Sequence, residues 1–176
     1  MSDHHVLAAI SRYLRHTLWL GFKADEAVRA LILREPAIRI SPPNSADGEA
    51  RLFLWLYEVR PNRYLASHPG VRPHVGAAAP PPLPLDLHYM LAPNLPNLDQ
   101  DGADLVVLAR AMQIMAAMPH VAMPGGAEED ELRVTHEEPP LEEQVALWRA
   151  LREPMRLAAF YQVGVARIDP LDPDTQ

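Results

Sequence analysis

Cysteine is missing from all 176 positions. Disulfides, thiolate metal sites and cysteine nucleophiles are therefore excluded, and the redox state of the compartment leaves no mark on the composition. Long apolar runs are missing as well. No stretch approaches the ~20 residues that a membrane-spanning helix needs, so no integral membrane protein is expected. The first ten residues hold Asp3, His4 and His5 but no basic stretch ahead of an apolar run, which argues against a secretory leader and for synthesis in the cytoplasm. The eight glycines form neither GxGxxG nor a P-loop, and the one adjacent pair, Gly125-Gly126, precedes acids that would repel phosphate. No serine sits in a GxSxG elbow. The eight histidines show no HExxH or comparable tight ligand spacing.

What is present describes a chain that folds. Hydrophobic residues make up 48% and charged residues 22%, close to the ordinary globular mix. The length suits one domain, taken as residues 1–169, followed by a flexible acidic tail over 170–176. Charge is unevenly distributed: residues 1–75 carry ten basic and seven acidic side chains, residues 76–176 six and sixteen. That asymmetry suits layered or head-to-tail contacts between protein subunits better than nucleic acid, which wants a concentrated basic face. An ordinary acidic surface is the plainer reading.

Periodicity orders the elements. Val6, Leu7, Ile10, Tyr13, Leu14 and Leu18 recur at helical spacing and predict a helix from His5 to Leu20. Lys23 to Glu35 reads equally as helix or irregular strand, and Ala37 to Ile40 as a short strand closed by Pro42-Pro43. Leu52 to Tyr57 is unbroken apolar sequence, so Arg51 to Val59 is expected as a strand buried on both faces. Residues 60–82, punctuated by Pro61, Pro69, Gly70, Pro73, Gly76 and Pro80 to Pro82, read as a long semi-rigid loop of the kind that carries function. Leu83 to Leu91 alternates strictly, with Leu83, Leu85, Leu87, Tyr89 and Leu91 on one face and Asp86, His88 and Met90 on the other. After the Asp101-Gly102 turn, Ala103 to Met118 predicts a helix apolar almost all round, which must be covered on most sides, by its own sheet and by a neighbouring subunit. A loop from Pro119 to Asp130 and a short strand from Leu132 to His136 follow. A helix from Leu141 to Arg152 has acids in its first turn and Arg149 and Arg152 in its last, matching its dipole. A strand from Met155 to Ile168 alternates Met155, Leu157, Ala159, Tyr161, Val163 and Val165 onto one face. The fold class is α/β or α+β, a mixed sheet of about four to six strands with about three helices packed on it.

Residues that carry chemistry are few. Asp86 and His88 share a strand face roughly 7 Å apart, where a carboxylate can orient an imidazole for catalysis or for a metal. No third ligand or nucleophile is implied by the spacing, so a hydrogen-bonded structural pair is the favoured reading. Glu137, Glu138, Glu142 and Glu143 flank a helix start that favours carboxylates in any case. Met112, Met115 and Met118 form a row on the apolar helix, as core filling or as adaptable packing against a partner.

Five stretches nevertheless match a known pattern, in order. They are Leu52-Phe-Leu-Trp-Leu-Tyr-Glu-Val59 with Asn62 and Arg63; Leu83-Pro-Leu-Asp-Leu-His-Tyr-Met-Leu91; Arg110-Ala-Met-Gln113; Leu132-Arg-Val-Thr135; and Leu147-Trp148 with Pro154-Met-Arg-Leu157 and Tyr161. Together they resemble the N-terminal domain of the cap proteins, or tail terminators, of contractile injection systems. The resemblance implies a mixed α/β subunit that forms a hexameric ring on the last layer of tube and sheath of a phage-tail-like particle and ends their polymerisation. It implies protein binding rather than turnover and supplies no catalytic residues, and with the spacing, charge and hydropathy above no cofactor, metal, nucleic acid or membrane is expected. Its implied partners are further copies of itself and the sheath and inner-tube proteins, met in the cytoplasm during assembly of the particle. The residues expected at such interfaces are Arg60, Arg63 and Arg72 in the Pro-rich loop, an exposed Arg110 with Gln113, and the acidic run Glu128, Glu129, Asp130 and Glu131. Two alternatives stand beside this reading: another tail-assembly protein, either tube initiator or sheath-assembly chaperone, and a metal-dependent enzyme using Asp86 and His88.

Overall fold

The computed structural model describes residues 5–44, 46–66, 82–95, 102–122 and 131–169. The expected tail over 170–176 and most of the Pro-rich loop lie outside these residues. The first helix forms as α1 (Val6–Lys23), whose Val6, Ile10, Leu14, Leu18 and Phe22 recur about one turn apart and are all buried. It continues past the expected stop at Leu20 because another helix crosses at Gly21, where a Cβ would overlap Ile114. The ambiguous stretch that follows is helical. Asp25 accepts from the Val28 N–H at 3.2 Å and caps α2 (Glu26–Leu31), and Glu35–Ala37 adds a 3-10 turn. Glu35 ties that turn to α1 through His16 and Arg15, each at 3.1 Å. The His16 hydrogen bond, with Arg15 behind it, holds the Glu35 carboxyl below its ordinary range.

The strands are β1 (Ile38–Arg39), β2 (Leu52–Pro61), β3 (Leu83–Pro93), β4 (His120–Ala122), β5 (Glu131–Glu137) and β6 (Ala159–Ile168). They make one sheet in the order β1-β2-β3-β6-β5-β4, with β1 parallel to β2 and every other pairing antiparallel. A short α3 (Arg63–Ala66) follows β2, while α4 (Ala103–Ala116) lies between β3 and β4 and α5 (Leu141–Leu151) between β5 and β6. Alternation along β3 divides the core in two. Leu85, Leu87, Tyr89 and Leu91 pack with Leu52, Leu54, Tyr161 and Val163 beneath α1, α2 and α4. Met90 and Ala92 join Phe53, Phe160 and the α5 residue Trp148 on the opposite face. Each fully buried Leu, Ile or Phe contributes about 1.5–3 kcal/mol, so the first layer, with many such residues, is held far more firmly than α5, which buries Trp148 alone.

The structure departs from the sequence expectations in several places. β2 is buried on both faces only over Leu52, Phe53 and Leu54 and is exposed from Val59 onward, because both core clusters reach mainly its first half. Residues 60–66 are not loop: β2 runs to Pro61 and α3 follows. β4 lies in the stretch expected as loop after Pro119; three residues show no period, and pairing with β5 supplies the order. α4 ends at Ala116 rather than Met118. β6 starts at Ala159 rather than Met155, because Arg156 donates to Asn94 Oδ1 at 2.9 Å and lies 5.3 Å over the Trp148 ring, which leaves Met155 and Leu157 exposed. A register shift opposite Leu85 and Asp86 passes over Val165, and Ala166 takes the core place that alternation assigned to Val165. Among the described residues the helices number five rather than about three, since α2 and α3, at six and four residues, are too short for periodicity to register. The α+β class and the mixed sheet are as expected.

Candidate functional site

On the second face of the sheet, β2, β3 and β5 bring polar side chains into two adjoining clefts of about 260 and 740 Å³ that share Arg60, His88 and Glu137. His88 is buried and its Nδ1 lies 2.8 Å from Glu137 Oε2. Asp86 does not partner His88. Its carboxylate accepts from Asn62 Nδ2 at 3.0 and 3.1 Å, and Asn62 in turn accepts from the Leu65 N–H at 3.0 Å, which anchors α3. Tyr57 stands beside His88 with ring centroids 6.1 Å apart. Burial, with the charges of Glu137, Glu143 and Glu58 behind it, pushes the Tyr57 hydroxyl up to about 12. The expected Asp86–His88 pair is thus two separate pairs with different structural duties. Among the described residues no three His, Cys, Asp or Glu side chains converge as a metal ion would require. The partner Glu137 was legible only as a helix-start acid, because its closeness to His88 depends on β6 lying between β3 and β5.

The residues expected at interfaces are scattered. Arg60 is exposed on β2 and pairs with Glu58 at 2.6 Å, with Glu143 at 3.8 Å. Arg63 is exposed on α3, Gln113 on α4, and Glu131 at the start of β5, 3.5 Å from His120. Arg110 is not the exposed residue expected. It lies partly buried, donating to the Gly21 carbonyl at 3.4 Å and to Gln113 Oε1 at 3.1 Å, with Asp25 at 3.7 Å, so it clips α4 to the end of α1. Arg72, Glu128, Glu129 and Asp130 lie outside the described residues.

An apolar stripe on α4 is a better candidate for contact. The helix expected to be covered by its own sheet and by a neighbouring subunit is covered on one side within the single chain. Leu105, Val106 and Met112 of α4 are 59%, 45% and 36% exposed, and the exposed Ala109 and Ala116 continue the stripe. Beside it an apolar groove of about 500 Å³ runs between α4 and the sheet, floored by Met115, Val134 and Tyr161. Of the methionine row, Met115 is core, Met112 is exposed and Met118 is intermediate. Leu141 at the start of α5, and Met155 and Leu157 beyond its end, are also exposed, at 61%, 48% and 52%. Met155 and Leu157 were missed as surface residues because their alternation mimics a strand.

No curated protein matches the chain at a significant level. A family model described as the Pvc16 N-terminal domain matches residues 5–176. Among solved structures the fold is similar to a sheath/tube terminator of the extracellular contractile injection system PVC in its extended state, at TM-score 0.56 and 16% identity over 89% of this chain and 56% of that one. It is also similar to the tube-terminating cap of the anti-feeding prophage, at TM-score 0.57 and 18% identity over 84% of this chain and 52% of that one. The chain therefore spans little more than half the length of either structure. The family model covers nearly the whole chain, and the shared α+β fold agrees with it: the chain belongs to the Pvc16 N-terminal domain family.

Proposed function

We propose that this protein is a structural cap subunit, a tail terminator that sits as a homo-oligomeric ring on the end of the tube and sheath of a contractile injection particle and stops both from growing. One observation carries the reading: a member of the cap family presents an apolar stripe, on a helix with almost no polar face, open to solvent. Exposed apolar surface of this kind marks a protein contact. The two similar structures are described as terminators of tube or sheath, which supports the same role here. Six copies would match a six-fold tail, and assembly would take place in the cytoplasm. Arg60, Arg63, Gln113 and Glu131 remain candidates for contacts with sheath or tube. The function is binding and not turnover of a substrate. Deleting the gene and imaging the particles by electron microscopy tests this: tubes and sheaths of uncontrolled length, or none recovered, are expected. Particles of normal length and normal end structure would sink the reading.

A further inference from the structure

The smaller of the two polar clefts on the second face of the sheet is acidic and sized for a side chain. Its volume of about 260 Å³ falls below the ~300–1,000 Å³ of a drug-sized ligand site. Three carboxylates, Glu137, Glu138 and Glu143, line it with one guanidinium, Arg60. Arg60 is already engaged by Glu58 at 2.6 Å and Glu143 at 3.8 Å, whereas Glu138 and the Oε1 of Glu137 have no hydrogen-bond partner among the described residues. The adjoining cleft adds Glu58, Asp86 and Arg63, so across both clefts five acids stand against two arginines. The Tyr57 hydroxyl in the wall senses the sign of that field. Burial raises it most, then the charges of Glu137, Glu143 and Glu58, and the opposing charge of Arg60 ranks below all three. Glu142 and Glu143 in the first turn of α5 offset the positive end of that helix.

His88 adds a directed acceptor to this charge. The residue is only 6% exposed, and its Nδ1 must donate to Glu137 Oε2, because a carboxylate only accepts. The neutral ring then carries its lone pair on Nε2, which has no partner among the described residues in a side chain that lines both clefts. We propose that the smaller cleft takes one arginine side chain of a partner protein, whose guanidinium donates to His88 Nε2, Glu137 and Glu138 beside the Tyr57 ring. A guanidinium presents five donors in one plane and stacks on aromatic faces, whereas an ammonium is a compact, strongly hydrated point charge. Acceptors held on β3 and β5, with Tyr57, Pro139 and Pro140 as flat walls, match the plane. The cleft lies on the face of the sheet opposite α4, so this contact is separate from the apolar stripe and does not depend on the ring reading.

Saturation-transfer NMR on the full chain tests the assignment with N-acetyl-arginine amide as the probe, since it detects weak ligands on a monomer or an oligomer alike. Saturable transfer is expected, strongest at the methylene next to the guanidinium and weakest at the acetyl group. N-acetyl-lysine amide should bind roughly fivefold more weakly, because it cannot fork across two acceptors. Glu138 is exposed, so Glu138→Gln and Glu138→Lys should both keep the wild-type circular dichroism. The first should weaken the arginine probe roughly threefold, the worth of one exposed ion pair, and the second roughly tenfold or more, since it replaces attraction by repulsion. Transfer that does not saturate, or equal transfer to N-acetyl-leucine amide, overturns the proposal. Tighter binding of N-acetyl-glutamate amide overturns it by showing an anion site. Spermidine that binds more tightly than the arginine probe and displaces it overturns it in favour of a free polyamine. An affinity unchanged by Glu138→Lys places the probe elsewhere and overturns it as well. None of these outcomes bears on the cap reading, which images of the particles decide.

Discussion

Asn94 joins three distant parts of the chain with one buried side chain. Its Nδ2 donates to the carbonyls of Asp47 and Ala50 at 3.1 and 3.3 Å, and its Oδ1 accepts from Arg156 at 2.9 Å. Nothing in the residues around it announces this, because all the partners are remote. Tyr89 is a second case, legible as a core residue but not as half of a polar pair. Its hydroxyl donates to Ser11 Oγ at 2.8 Å, and Ser11 spends its own proton on the Leu7 carbonyl at 2.9 Å. Burial pushes the Tyr89 hydroxyl up to about 12. The folded-state value is raised, so the stabilisation it provides is complete below the unfolded value near 10 and is lost as pH rises through 12. Two units correspond to about 2–3 kcal/mol. Tyr89→Phe is expected to cost about 1 kcal/mol at neutral pH, the net worth of one hydrogen bond, and to flatten the alkaline limb of a stability profile between pH 10 and 12. The limb does not vanish, since Tyr57 and Tyr161 are raised to about 12 as well. Denaturant melts at a series of alkaline pH values check this, and an unchanged slope would contradict it.

Among the elements, α5 shows most directly how local chemistry and tertiary packing divide the work. Its start and stop were legible: Glu142 and Glu143 suit the positive end of the helix dipole, and Pro154 forbids continuation. The means of stopping was not legible, because it needs a backbone conformation that the residue type does not advertise. Arg152 is left-handed at φ 59°. The Arg152 N–H bonds the Arg149 carbonyl at 3.1 Å and the Glu153 N–H bonds the Trp148 carbonyl at 3.2 Å, which together form a Schellman cap. A side chain at a left-handed position costs roughly 1 kcal/mol that glycine avoids. Arg152→Gly is therefore expected to stabilise the protein by about 0.5–1 kcal/mol, read as a higher midpoint of thermal unfolding. A lower midpoint would mean that the Arg152 side chain makes contacts worth more than the strain. α4 was the converse case: its apolar character was plain, but which side stays open depends on where α1 lies, and Gly21 and Arg110 settle that by drawing the two helices together.

For the whole molecule, the legible part of the fold is the part with long periods: α1, β3, α4, α5 and the run of elements that marks a mixed sheet. The strand order was not legible. β6 enters between β3 and β5, pairing residues 83–91 with 159–168, and register across such a separation leaves no local signal. That order governs how the molecule opens. β3 and β6 are flanked by strands on both sides and covered by the α1, α2 and α4 core, so they can exchange amide protons only when the whole domain opens. α5 buries Trp148 alone among its eleven residues, so it should lift off in a cheaper local event. Hydrogen exchange of the isolated protein is expected to show β3 and β6 amides opening with the global free energy and α5 amides opening well below it. Trp148→Ala, a loss of about 3–5 kcal/mol where the cavity cannot collapse, should remove most α5 protection while β3 and β6 remain the slowest to exchange. Equal opening energies for α5 and β3 in the wild type would mean that α5 is an integral part of the core. The unequal result would instead leave α5 as a layer that its own chain holds loosely, through Trp148 and little else.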